Sequence, residues 1–111
     1  MAFSEVLAER IRQRLARRKY VEEKKMFGGV GFLLNGNMLV GVWKDSLIVR
    51  LDPDEYDDAL QQPHAQEFDI TGRAMRGWVI VEPGGVEQDH HLKDWIERAM
   101  KFVKALPKKW N

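Results

Sequence analysis

Residues 26–38, with the sequence MFGGVGFLLNGNM, constrain the fold more than any other part of the chain. Three glycines fall within four positions, and a fourth follows in the Asn35-Gly36 step. Gly-rich loops bind phosphate where they lead from a strand into a helix. Here the glycines are followed by Phe32-Leu33-Leu34 and then by Asn-Gly, the strongest short hairpin signal. The segment therefore predicts strand and turn rather than a phosphate site, and we expect Gly28 and Gly29 to bend the first strand sharply.

The apolar pattern around this segment predicts three consecutive antiparallel strands. We expect them at residues 24–34, 37–43 and 47–51, joined by tight turns at 35–36 and 44–46. Along the third strand, apolar side chains alternate between a core face and a mixed face. The three strands are expected to form a meander.

Capping residues and apolar stripes predict three helices. Ser4 is a good N-cap for a helix over about 4–18, and Asp52-Pro53 is typical of the start of a short helix that ends near residue 61. A long amphipathic stripe predicts a last helix from residue 89 to 106.

Two further strands are expected at 67–70 and 77–81, with 71–74 as their connection. The predicted order is therefore α-β-β-β-α-β-β-α, an α+β fold with two layers and a five-stranded antiparallel sheet.

The length of 111 residues suits a single domain spanning 1–111. No apolar stretch approaches the roughly 20 residues needed to cross a bilayer, and the N-terminus becomes charged too early for a signal peptide. We therefore expect a cytoplasmic protein with no membrane association. The absence of cysteine excludes disulfides, thiolate catalysis and Cys-based zinc sites.

The net charge of +1 hides a basic N-terminal region. Residues 1–25 contain eight Lys or Arg and four acids, so their net charge is 8 − 4 = +4. The candidate basic surface consists of Arg10, Arg14, Arg17, Arg18, Lys24 and Lys25. A solvated helix face with intrahelical ion pairs and a surface for nucleic acid or an acidic partner both explain this pattern. The pI near 8.0 is below that of a dedicated nucleic-acid-binding protein.

No residue pattern in the chain is typical of catalysis, and we expect no enzyme. His90 and His91 are adjacent, so they cannot chelate as an i, i+4 pair, and His64 follows a proline in a predicted loop. No serine lies in a nucleophile elbow. We predict no catalytic, cofactor-binding or metal-binding residues.

The four tryptophans are more informative than these polar groups. Trp43, Trp78 and Trp95 lie in predicted strands or in the apolar stripe, and we expect them in the core or as anchors of an interface; Trp110 is expected to be partly exposed.

The glycine segment is also a family signature. It resembles the N-terminal domain of the TfoX/Sxy competence-regulator family, and residues 72–79 and 92–105 are similar to that family too. The residues that carry the motif are Met26, Phe27, Gly28, Gly29, Gly31, Phe32 and Gly36. The resemblance implies a fold like that of secretion chaperones and a link to transcriptional regulation. It implies no catalytic residues, and because the sequence ends at Asn111 we expect a short stand-alone form without the family's C-terminal helical domain.

Three functions remain open at this point. The first is a non-enzymatic regulatory or protein-interaction module that binds another protein or itself. The alternative is a nucleic-acid-binding module that uses the basic first helix, and the third is an enzyme with an unrecognised pocket for a small molecule.

Overall fold

One antiparallel sheet and three helices build the α+β fold. The structure is a computed structural model, and it describes residues 3–26, 28–69 and 75–109. The elements are α1 (Glu5–Leu15), β1 (Val21–Met26), β2 (Gly29–Leu34), β3 (Asn37–Trp43), β4 (Ser46–Arg50), α2 (Tyr56–Leu60), β5 (Ala65–Glu67), β6 (Trp78–Val81) and α3 (Asp89–Val103), with 3-10 turns at Pro53–Glu55 and Pro83–Gly85.

The six strands pair in the order β1-β2-β3-β4-β6-β5, and every pair is antiparallel. Helix α3 contacts β3 and β4, α1 contacts β3, and α2 contacts β5 and β6. Alternate residues of the strands bury their side chains against these helices, as a sheet with one covered face requires. We call this side of the sheet the core face. Its buried strand residues include Val30, Phe32, Leu34, Val40, Val42, Leu47, Val49, Val79 and Val81.

The prediction of a single strand over residues 24–34 is wrong, and so is the five-strand count that depended on it. The chain reverses direction after Met26, and β1 and β2 form a hairpin in which Met26 lies opposite Gly29. Gly28 lies in this turn with φ +76°. A turn this tight needs a positive φ, which glycine adopts without steric cost. Gly28 therefore allows the chain to reverse direction, and the glycines do not bend one long strand.

The helix predictions agree with the structure in position but not in every boundary. Ser4 caps α1, because its Oγ accepts a hydrogen bond from Leu7 N at 3.1 Å. Helix α1 ends at Leu15, three residues before the predicted end, since the chain needs the following residues to turn into β1. Asp52 caps the turn before α2 through Asp54 N at 2.9 Å. Helix α3 covers most of the predicted stripe.

Of the two short strands, β6 falls at its predicted position and β5 shares only Glu67 with its predicted range. Strand β6 lies within the predicted 77–81, whereas β5 begins and ends earlier than the predicted 67–70. Residues 70–74, which include the predicted connection, lie outside the described residues. The likeness to secretion chaperones stays a prediction.

The segment that follows α3 returns to the β2–β3 turn. Lys109 N donates to Asn35 O at 2.8 Å, and the side-chain Nδ2 of Asn37 donates to Pro107 O at 2.8 Å. Asn37 is only 2% exposed, so this bond satisfies a buried polar side chain. None of the described helices is both long and apolar enough to span a membrane.

Candidate interaction surface

The motif glycines of β2 serve close packing between strands. A Cβ atom on Gly29 would lie 2.1 Å from Val42 O on β3. No side chain fits at that distance, so β2 and β3 can approach as they do only with glycine at this position. Phe32 of the same motif is buried in the core, and Phe27 lies outside the described residues.

Two glycines face each other on the side of the sheet opposite the core face. Gly31 of β2 lies opposite Gly41 of β3, and two methionines fill the space beside them. A Cβ on Gly31 would lie 2.9 Å from Met26 Cε and 3.0 Å from Met38 Sδ, and one on Gly41 would lie 2.8 Å from Met38 Cε. The glycine pair thus makes a depression across two strands, and the methionine side chains lie in it.

These methionines belong to a larger apolar surface, which we call the second face. Strand alternation and register place its side chains on the side of the sheet away from the core face. Ile48 is buried, and the other members are only half-buried. The second face consists of Met26, Leu33, Met38, Trp43, Ile48, Trp78 and Ile80. Apolar surface that is contiguous and incompletely buried is typical of an interaction site.

Cationic groups lie over both tryptophans of the second face. Lys44 Nζ is 4.6 Å from the Trp43 ring, and the Arg50 guanidinium is 5.3 Å from the Trp78 ring. Phe68 packs beside Trp78 with ring centroids 6.1 Å apart. The three tryptophans that were expected in the core or at an interface lie in two different places. Trp95 is buried in the core, whereas Trp43 and Trp78 are half-buried on the second face. Trp110 lies outside the described residues.

The structure does not bring the six candidate basic residues together on one surface. Arg10 forms an ion pair with Asp89 at 2.9 Å, and Arg14 donates to Asp89 O at 3.5 Å, so both tie α1 to the start of α3. Lys24 and Lys25 are consecutive in β1 and therefore point to opposite sides of the sheet. Among the described residues, Arg10 is the only one of the six in an ion pair, and none is present at Arg14, Arg17, Arg18, Lys24 or Lys25.

A groove of about 640 Å³ separates α3 from the α2–β5 connection and the turn before α3. Its lining includes His64, His91, Asp94, Arg98 and Lys101. The Arg98 guanidinium already pairs with acids near α2 and lies 5.3 Å from the Trp95 ring. Across the described ranges, no three His, Asp or Glu side chains are placed to hold a metal ion.

The shifted pKa values arise from structural contacts. Arg12 donates to both carboxylate oxygens of Glu23, at 2.8 and 2.7 Å, and also pairs with Glu9. The hydrogen bonds from Arg12 hold the pKa of Glu23 below its ordinary value. Burial, aided by the nearby Glu67 carboxylate, raises the pKa of Tyr56. Each of these two shifts therefore has a local packing cause.

Sequence reasoning missed the second face as a unit. Its members come from five strands, and only the register places them side by side. A signal was nevertheless present in β3, where Met38, Gly41 and Trp43 are interspersed with buried apolar residues. That pattern alone indicates that both sides of β3 carry apolar residues, because successive side chains of a strand point to opposite faces.

Comparison with known proteins identifies the family. The model of the TfoX N-terminal domain matches residues 13–103, which include every strand and all of α2 and α3. No curated protein and no solved structure gave a significant match. The match spans most of the chain and contains the whole glycine motif with its hairpin, so the chain belongs to the TfoX N-terminal domain family.

Proposed function

We propose that this domain is a non-enzymatic module that binds another protein through the second face. The observation that carries the proposal is the half-buried apolar surface on the side of the sheet away from the core. A regulatory role in the cytoplasm, including the link to transcription that the family resemblance implies, is part of the same proposal.

The chemistry of the second face suits a protein partner. Methionine side chains are flexible and polarizable, so Met26 and Met38 can adapt to an apolar partner surface. Tryptophan is enriched among the residues that dominate binding energy, and the second face contains Trp43 and Trp78. The Lys44 and Arg50 cations beside these rings supply a polar rim. The preferred partner surface is therefore apolar at its centre and acidic at its margin.

The groove beside α3 supports an enzyme less well. Its guanidinium, Arg98, is engaged by Glu55 at 3.5 Å and by Asp58 at 3.2 Å, so it is not presented to a substrate. His64 and His91 on its walls are exposed. A catalytic site generally holds its acid or base in a partly desolvated position where its pKa can be tuned.

Affinity capture with matched variants tests the proposal. The variants Leu33→Lys and Ile80→Lys place a charge on the second face at half-buried positions. Val6→Lys is the control, because Val6 is 74% exposed on α1. We expect one set of proteins to be captured by the wild type and by Val6→Lys and to be lost from both face variants, with all four chains folded. The same capture from all four would contradict the proposal.

Nucleic-acid binding by α1 is the alternative. It is favoured by Arg14, Arg18 and Lys93, which outnumber the one acid, Glu97, in the lining of a small depression between α1 and α3. Binding through such groups releases counterions, so the affinity for a labelled oligonucleotide should fall steeply with salt. Fluorescence anisotropy that shows no binding at low salt would exclude this alternative.

A further inference from the structure

Strand β1 lies at an edge of the sheet and is long and regular. It pairs with β2 over all six of its residues without a register shift, and no other described strand pairs with it. Natural proteins protect such edges with charged side chains, proline, bulges or very short strands. The sequence VEEKKM contains no proline, and its protection consists of charges alone.

The backbone groups that point outward from β1 can be assigned from the hairpin. Asn35 N donates to Tyr20 O at 3.0 Å in the same register as the β1–β2 ladder. Hydrogen-bonded pairs alternate along an antiparallel ladder, so the residues whose backbone faces β2 are 22, 24 and 26. The N–H and C=O groups of Val21, Glu23 and Lys25 therefore face outward from the sheet.

The charges of β1 are complementary to those of a second antiparallel β1. A two-fold axis through Glu23 places Glu22 opposite Lys24 of the second copy, and this pair occurs twice. In the same register, the outward-facing backbone of Val21 lies opposite that of Lys25 in the other copy, and this pair also occurs twice. The two Glu23 residues lie opposite each other. Each of these pairs can exchange two backbone hydrogen bonds. The two Glu23 carboxylates come together, but each is already held by its own Arg12.

We propose that β1 pairs antiparallel with β1 of a second copy of this chain, about a two-fold axis at Glu23, to form a symmetric dimer with one continuous sheet. The inference is independent of what the second face binds. Registers shifted by two residues align two outward-facing backbone pairs instead of three, and they put Lys24 opposite Lys24 or Glu22 opposite Glu22. The shift that joins the two Lys24 residues also puts Glu23 opposite Lys25 twice, so attractive pairs alone do not separate it from the proposed register. The proposed register is favoured because it aligns more backbone pairs and because each Glu23 at its axis is already held by Arg12.

The other edge of the sheet favours a closed dimer over a fibre. Strand β5 has only three residues, against six in β1. A short edge offers few backbone groups to a further copy. Pairing through β1 on both copies uses the same surface twice, which closes the assembly at two.

Charge reversal tests the register. We expect analytical ultracentrifugation to show a concentration-dependent dimer of the wild type between micromolar and millimolar concentration. Glu22→Lys and Lys24→Glu each create two like-charge pairs, which should weaken the dimer about tenfold. The double variant Glu22→Lys/Lys24→Glu restores both attractive pairs and should restore the dimer. A wild type that stays monomeric, or a dimer insensitive to these changes, would overturn the proposal.

Two further variants separate pairing from folding. Lys25→Pro removes an outward-facing N–H that β2 does not use, so the monomer should keep its fold while the dimer is lost; Lys25→Ala keeps the N–H and should still dimerise. The chain lacks cysteine, so Glu23→Cys gives one thiol at the axis, and a short bismaleimide should link two copies. Gln66→Cys on β5 is the control and should not link. Cross-linking of both variants to the same extent would contradict pairing through β1.

Discussion

Gly29 is the position where a single added methyl group would meet the backbone of a neighbouring strand. The Cβ of Gly29→Ala would lie 2.1 Å from Val42 O, and a backbone carbonyl cannot move aside without disrupting the β2–β3 ladder. We expect Gly29→Ala to lower the free energy of unfolding by about 2–4 kcal/mol. Urea denaturation followed by circular dichroism measures this change.

Gly28 provides the matched control for that experiment. A Cβ on Gly28 would meet nothing within 4 Å, and the only penalty is its φ of +76°. Gly28→Ala should therefore cost about 1–2 kcal/mol, the penalty for placing an L-residue in a left-handed conformation. An equal or larger loss for Gly28→Ala would show that close approach of β2 and β3 is not what requires glycine at position 29.

The ion pair between Arg12 and Glu23 gives a pH-dependent contribution to stability. The pKa of Glu23 is lower in the folded protein than in the unfolded chain, so its contribution is present above the unfolded pKa and is lost as the pH falls through the folded pKa. Both side chains are partly exposed, so we expect less than about 1 kcal/mol. Glu23→Gln should make the melting temperature depend less on pH than in the wild type between about pH 6 and pH 3. Glu22→Gln is the control, and an equal flattening in both variants would contradict this assignment.

These residue roles could be predicted from the sequence only in part. The sequence context was enough to predict strand and turn in place of a phosphate loop, but the bend that it predicted at Gly28 and Gly29 is a chain reversal after Met26. The partner atom, Val42 O, follows from strand register, which local sequence does not specify. The bidentate contact of Arg12 with Glu23 likewise depends on how α1 crosses β1.

Strand β1 was not predicted as a separate strand, and its composition explains why. Hydrophobic alternation identifies strands that bury one face, and the interior residues of β1 are all exposed charged residues. Strands β2, β3, β4 and β6 carry enough buried apolar residues, or clear enough turns, to be predicted near their true positions. Strand β5 has no buried residue and shares only Glu67 with its predicted range. An edge strand made of charged residues is held by backbone hydrogen bonds to β2, and these leave no apolar signature.

The C-terminal segment and the β2–β3 turn should stabilise each other. Asn37→Ala removes the bond from Nδ2 to Pro107 O and leaves that carbonyl without this donor, so we expect a loss of about 1–3 kcal/mol. A chain truncated after Leu106 should lose a similar amount. In the truncated chain, Asn37→Ala should have a smaller further effect, because its partner is already gone. Fully additive losses in thermal unfolding would show that the two sites are not coupled.

For the molecule as a whole, methionine oxidation reports the exposure of the second face. Met75 is 39% exposed, Met26 and Met38 are half-buried, and Met100 is buried in the core. Peroxide should therefore oxidise Met75 fastest, the two second-face methionines at intermediate rates, and Met100 slowest. Peptide mass spectrometry measures the four rates. Oxidation of Met26 and Met38 as slow as that of Met100 would show that the second face is covered in solution.

The overall architecture was more predictable than the candidate site. Caps, turns and apolar stripes specify an α+β chain with an antiparallel sheet, because these signals are local. The second face depends on pairing between strands, which brings Met26 beside Met38 and Trp78 across from Arg50. The candidate basic residues also show that local sequence does not specify a surface, since residues close in sequence do not lie on one side of the molecule.

Residue-specific photo-crosslinking in living cells tests most directly whether the second face binds a protein. A photoreactive phenylalanine analogue at Leu33 or at Ile80 would place the probe on that face, and the same analogue at Val6 would place it on an exposed part of α1. We predict that Leu33 and Ile80 link to one common protein that Val6 does not reach. Absence of any adduct from both face positions, or the same adducts from all three positions, would contradict the proposed function.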